Sequence, residues 1–464
     1  MTHRSSESLL PLHMQQAFFD YFRCPQELAV FRLQGNLGTQ KGFFRFGPNT
    51  ICYGRLSSGR TAATETDDME NAFNSAIIED HACYLPFDSD EIVDNLRFER
   101  YRHSAQLNGR LSLAKTIIRN AYYAVRPFLP VSVRKHLQRQ ALSGWDKRTF
   151  PHWPVDQTVE KIFEQMLILA LRANQMDRVP FIWFWPDGCS GCATMTHDVE
   201  TATGRDFCTR LMDLNDSFGI KSSFQLVPEE RYAVPDELLR TIRERGFEVN
   251  VHDLNHDGNL FRDHDEFLRR AAKINEYIRK FEAVGYRSGV LYRNLDWYDA
   301  FDFSYDMSVP NVGHLDPQPG GCCTTKPFFV GRILEIPVTA TQDYTLFHIL
   351  QQYSTHLWEQ QIQLILEHHG SANFIVHPDY LKETRARETY AALLKHLARL
   401  RLDANLWIAL PRELNDWWRA RNQMKLVERN GRWEIEGPEN HRARIVFARL
   451  VDGRLEYDAQ DVSH

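Results

Sequence analysis

The chain has no run of 18 apolar residues, so no membrane-spanning helix is expected in its 464 residues. It opens Met1-Thr2-His3-Arg4-Ser5-Ser6-Glu7-Ser8, without the basic-then-apolar pattern of a secretory signal, and a cytoplasmic protein is the expectation. Cysteine is sparse: eight residues, scattered without the spacing of a disulfide scaffold, which suits a reducing compartment. Cys189-x-x-Cys192 has no second pair at ribbon spacing, and adjacent Cys322 and Cys323 cannot easily ligate together, so reduced thiols are expected there. A large positive charge is missing as well. The net charge of −6 argues against bulk nucleic-acid binding. Acid itself runs out between Arg110 and Trp145, where there are seven Lys or Arg and no Asp or Glu. Leu107, Leu111, Ala114, Ile118 and Ala121 have helical spacing there, and Pro127 and Pro130 divide two amphipathic pieces. The stretch 110–145 reads first as a solvated or docked helix face. A weak peripheral membrane contact is its second reading.

What is present is a globular composition, 43% apolar and 25% charged, long enough for two or three domains. Residues 1–103 read as a mixed region with short strands at Ala29–Leu33 and Gly42–Phe46. Residues 104–180 form a basic, helical connection in which Asp156 caps a helix carrying Val159, Ile162, Phe163, Met166 and Ala170 on one face. Pro180–Pro186 is an aromatic strand whose two tryptophans are expected to pack in the core. From 181 to 420 strand and helix signals alternate, which argues for parallel βαβ units in a distorted (β/α) barrel. Residues 421–464 contain Asn430-Gly431 and Asp452-Gly453 between short strand-like runs, the signature of a small antiparallel β module.

Within the alternating region lies an inventory of metal-ligating and proton-moving residues: Asp198, Glu200, His252, His256 and His377. Asp198 and Glu200 end an apolar run, and in a strand residues i and i+2 face the same way. His252 and His256 follow Phe247-Glu248-Val249-Asn250-Val251, a strand entered from Gly246, the stop of the preceding helical pattern. His377 closes Phe374-Ile375-Val376. Taken singly, each has a plainer reading as an acidic loop, a chance pair among 19 histidines, or a hydrogen-bonded core imidazole. Two imidazoles and a carboxylate suit a zinc-like ion with one position left for water.

In order along the chain, these segments resemble the polysaccharide deacetylase family, the NodB homology domain. Gly246–His252 is similar to that family's Gly-His-Glu-(Ile/Val)-Gly-x-His and is completed by His256. Gly285-Tyr286-Arg287-Ser288 resembles its Gly-Phe-Arg-x-Pro, Lys221–Val227 its Ala-Thr-Phe-Phe strand, and Ile375-Val376-His377 its Leu-x-His. The resemblance spans roughly residues 181–400. Two departures stand out: Val199 occupies the slot of a ligand aspartate, and Ser288-Gly289 replaces Arg-x-Pro. The fourth motif has two candidates, Asp296-Trp297 and Asp306.

The resemblance implies a divalent metal, zinc by expectation, held by Glu200, His252 and His256. It implies Asp198 as general base, His377 as general acid and Arg287 as the group that orients Asp198. The implied activity is N-deacetylation of an N-acetylated sugar or glycan intermediate. Hydrolysis of another non-peptide C–N bond is a rival, as is a non-catalytic carbohydrate- or partner-binding protein that keeps the fold.

Overall fold

A computed structural model describes residues 15–102, 140, 142 and 144–459. The first eight residues, the 104–125 helical pattern and nearly all of the basic stretch 110–145 lie outside the described residues. Among the described residues, no helix is long and apolar enough to cross a membrane.

The protein is a mixed α/β chain built around a curled nine-stranded sheet. In chain order its strands are β1 (Gly191–Val199), β2 (Ser223–Leu226), β3 (Glu248–His252), β4 (Gly285–Arg287), β5 (Tyr305–Asp306), β6 (Phe328–Val330), β7 (Ile333–Glu335), β8 (Ser371–Ile375) and β9 (Leu406–Ala409). They run β6-β7-β5-β4-β3-β2-β1-β8, and β9 also pairs with β1. Every pairing is parallel except β6 with β7. β1 is long enough for three neighbours: β2 on its C-terminal half, β9 on its N-terminal half and β8 across Cys192–Thr196. The sheet curls back on itself because the chain after β7 crosses to β8. There Ala340 donates to the Asn373 carbonyl at 3.2 Å, and the Asn373 side chain donates to the Pro337 carbonyl at 2.7 Å. This is a distorted (β/α) barrel.

The connecting helices cover the outside. Ala202–Asp216 starts at Thr201, whose hydroxyl accepts from the Gly204 amide at 3.0 Å. Asp236–Glu244 ends before Gly246, which has a φ of 74° that only glycine adopts freely. His264–Lys280 buries Phe267, Ala271, Ile274 and Ile278 against the sheet, the face its sequence marks as apolar.

Around Phe18, Phe22 and Phe31, the N-terminal residues share a core with helix Thr158–Ala173 and helix Pro411–Gln423. The fully buried Arg421 stitches these pieces, donating to the carbonyls of Tyr21 at 2.8 Å, Ile182 at 2.7 Å and Trp183 at 2.9 Å. The N-cap of helix Thr158–Ala173 is Gln157 rather than the expected Asp156, which lies one residue earlier and accepts from the Thr158 amide at 2.8 Å. The aromatic strand begins earlier than its prolines suggest: Arg178–Ile182 is extended and, among the described residues, pairs with Ile445–Val451 alone. Pro180 is tolerated there because an edge strand has a free side for a residue without an amide hydrogen. Both following tryptophans are buried and bonded, Trp183 to the Cys189 carbonyl and Trp185 to the His369 carbonyl. Asn430-Gly431 and Asp452-Gly453 are hairpin turns with positive φ at all four residues, joining 425–429 to 432–436 and 445–451 to 454–459. All eight cysteines are free and buried.

Candidate active site

At the C-terminal ends of β1, β3, β4 and β8 a set of charged side chains converges, the face where parallel barrels carry reactive groups. Side-chain alternation along β1 decides who faces it. Thr196 and Asp198 point to the interior, while His197 and Val199 point outward, His197 toward Asn215 and Val199 into the helix-covered core. Glu200, next in the inward phase, meets the histidines. Val199 is therefore no gap in the site; the second carboxylate is one residue further on.

His252 ends β3, and its Nδ1 lies 3.1 Å from the Arg287 carbonyl, a contact that turns Nε2 inward. That Nε2 is 3.7 Å from Glu200 Oε1 and 3.8 Å from Asp198 Oδ2. His256 reaches Glu200 Oε1 at 2.9 Å, and Arg231 steadies its loop by donating to the His256 carbonyl at 2.6 Å. Nε2 of His252 is buried without a hydrogen-bond partner, and Nε2 of His256 is buried with the Glu200 carboxylate as its neighbour. Among the described residues, Glu200, His252 and His256 form the group able to hold an ion, their ligand atoms lying within 4.8 Å of one another. Two buried imidazole nitrogens converging on one carboxylate, that of His252 left unpaired, fit a divalent metal of the zinc type.

Arg287 crosses the barrel from β4. Its Nη1 donates to Asp198 Oδ1 at 2.5 Å and to the Thr196 hydroxyl at 2.7 Å, and its Nε donates to the Met307 carbonyl at 2.8 Å. Burial pushes Asp198 up, but Arg287 first, then His252 and His377, outweigh it and hold the carboxyl below its ordinary value. Glu200 is raised by burial too, yet His256 and the other histidines hold it well below the usual carboxylate range.

On the opposite wall stands His377, two residues beyond β8, with Nε2 3.4 Å from Glu200 Oε1. Its Nδ1 is 2.6 Å from Asp343 Oδ1, and its backbone amide donates to Asp343 Oδ2 at 2.7 Å. Burial works against its positive charge, but Asp343 foremost raises the imidazole well above its ordinary value. Asp343 is a carboxylate of this cluster that sequence reasoning missed. Neither fourth-motif candidate meets His377: Asp296 is exposed, and Asp306 accepts from Tyr298 at 2.8 Å and Ser308 at 2.6 Å. Asp343 lies in the connection between β7 and β8 and belongs to no local pattern.

The second sequence departure also has a cause. Gly289 lies so close to the Asp253 carboxylate and the His256 ring that any Cβ there would overlap Asp253 Oδ2. The next residues, Val290 and Leu291, take φ of 61° and 53°, a costly conformation for a β-branched side chain.

No protein-family model matches the chain, and no curated protein matches it. Solved structures do resemble it. One is described as a polysaccharide deacetylase from Mycobacterium smegmatis, 19% identical over 51% of this chain and 93% of that one, with a TM-score of 0.42. Another is a family 4 acetyl xylan esterase from Clostridium thermocellum, solved with a cobalt ion, 13% identical over 49% and 91% at a TM-score of 0.30. A third is a CE4 family pseudoenzyme from Bacillus anthracis, 16% identical over 50% and 66% at a TM-score of 0.29.

Proposed function

We propose that this protein is a metal-dependent amide hydrolase that removes the acetyl group from an N-acetylated sugar or glycan intermediate. The observation that carries the reading is the opposition of Asp198 and His377 across the Glu200–His252–His256 trio, one carboxyl held ionised and one imidazole held protonated.

Glu200, His252 and His256 would hold the metal, zinc by their chemistry. When bound, such an ion acidifies water and polarises a carbonyl oxygen. Asp198, kept as the carboxylate by Arg287, accepts the proton of the attacking water. His377, kept as imidazolium and oriented through Nδ1 by Asp343, donates from Nε2 to the departing nitrogen. Without that proton an amine is a very poor leaving group. Each transfer is worth about 10²–10⁴-fold in rate. Arg287 serves as a positioning residue: its three hydrogen bonds leave it no freedom to leave Asp198.

The test is metal analysis of the purified protein, followed by acetate release from a panel of N-acetylated mono- and oligosaccharides. A divalent ion at one per chain and turnover on one panel member are expected. Metal-loaded protein that releases acetate from none of them would overturn the reading.

A further inference from the structure

Beside the His377 wall is a second concavity that the proton-transfer chemistry leaves unused. Its lining includes Trp153, Leu291, Asp316, Val338, Thr341 and Gln342, and the space within it is about 30 Å³. Its place in the fold ties it to the site. Leu291 and Val338 form one buried apolar cluster with Ile375, which stands two residues before His377. Gln342 immediately precedes Asp343, the partner of His377.

The walls are unequal in chemistry. Leu291 and Val338 give an apolar flank, and Trp153, half-buried, gives an aromatic face backed by Trp145 at 4.9 Å and stacked on His314 at 6.4 Å. Against them stand three polar groups. Asp316 is only 9% exposed, and its Oδ1 accepts from Gln342 Nε2 at 2.9 Å. Thr341 is equally buried, and its hydroxyl oxygen has no hydrogen-bond partner. A buried hydroxyl left unpaired costs about 1–3 kcal/mol, so the fold gains nothing from it unless something else completes it. The space exceeds the roughly 10–15 Å³ that one water needs and is far too small for a whole ring.

We propose that this concavity is a substrate subsite that takes a single hydroxyl-bearing substituent of a sugar, its hydrogen bonds completed by Thr341 and Asp316. The adjoining sugar face lies against Trp153. The pairing of a carboxylate and a hydroxyl with an aromatic face selects a polyhydroxylated, uncharged group over an acyl chain or an anion. An anionic substituent would meet the Asp316 carboxylate, and an alkyl one would bury the Thr341 oxygen still unpaired. The inference rests on the hydrolytic reading for its place in the reaction, though not for binding itself.

The experiment compares wild type with the near-isosteric Asp316→Asn and Thr341→Val variants and with Trp153→Ala, melting temperatures confirming the fold. Two substrates are used, tri-N-acetylchitotriose and the sugar-free amide 4-nitroacetanilide, and the trisaccharide is also titrated calorimetrically. Each isosteric variant should raise KM for the trisaccharide about tenfold, leave its kcat within twofold, and leave the anilide unaffected. Equal losses on both substrates, or no loss on the trisaccharide, would overturn the subsite. If wild type hydrolyses neither compound, the hydrolytic reading rests on the saccharide panel while calorimetry still decides the subsite. Trisaccharide binding lost in Asp316→Asn upholds it, and binding that is absent or unchanged in that variant removes it.

Discussion

The two ends of strand β3 carry buried charge of opposite character. At its N-terminal end the Glu248 carboxylate is saturated by the Tyr305 hydroxyl, by Asn250 Nδ2 at 3.2 Å and by the Arg412 amide at 3.1 Å. At its C-terminal end His252 has one ring nitrogen engaged and the other buried with nothing to bond. The same contrast separates the mouth from the Glu99–Arg293 pair, which joins the N-terminal region to the loop after β4. Glu99 accepts from two guanidinium nitrogens and from the Gly321 amide, and Arg293 donates onward to the Leu291 carbonyl at 2.8 Å. Completed clusters hold the molecule together. An incomplete cluster that the fold nevertheless pins from behind is poised for something outside the chain.

The sharpest way to break the contrast is at the mouth. Asp198→Asn should cut turnover by about 10²–10⁴-fold while metal content, read by plasma mass spectrometry, stays at the wild-type level. Glu200→Ala should weaken metal binding instead. If the two phenotypes were exchanged, Asp198 would be the ligand and Glu200 the base.

At the saturated pair the loss should appear in stability. Glu99→Gln strands a buried Arg293 and should cost about 3–5 kcal/mol in denaturant unfolding, with kcat per folded molecule unchanged. Burial raises Glu99, but Arg293 outweighs it and sets the carboxyl below its ordinary value in the folded protein. Its contribution is therefore complete above the unfolded carboxylate value of about 4.3 and is lost as pH falls toward the folded one. Wild type should lose more stability than Glu99→Gln on acidification through that window. Parallel curves would mean that the pair does not titrate as a unit.

His377 tests whether the incomplete cluster is divided into acid and base. His377→Ala should depress amide hydrolysis severely and hydrolysis of an activated ester much less, since a good leaving group needs little protonation. Asp343→Asn removes the foremost cause of the raised imidazole value, so the basic limb of the rate profile should move to lower pH. Equal losses on amide and ester would assign His377 to binding or structure.

The smallest effect is expected at the saturated end of β3. Glu248→Gln keeps shape and most donors, and should cost on the order of 1–3 kcal/mol of stability with activity retained. A large loss of turnover there would erase the distinction between the two ends.

By itself, the sequence determined the periodic elements and whatever depends on local spacing. Alternation of strand and helix signals marked the barrel, and the turn chemistry of Asn430-Gly431 and Asp452-Gly453 marked both hairpins, because φ/ψ preferences act over a few residues. The inward phase shared by Asp198 and Glu200 was legible for the same reason, as a strand repeats every two residues. Tertiary structure alone decided which distant groups meet. Asp343 reaches His377 across 34 positions and Arg293 reaches Glu99 across 194, with no periodicity linking either pair. Gly289 is explained by the Asp253 carboxylate beside it, and Trp153 joins Leu291 and Val338 around one concavity from a segment that precedes the barrel. Such pairings are fixed by the curl of the sheet and the path of its loops, which place side chains by packing rather than by chain distance.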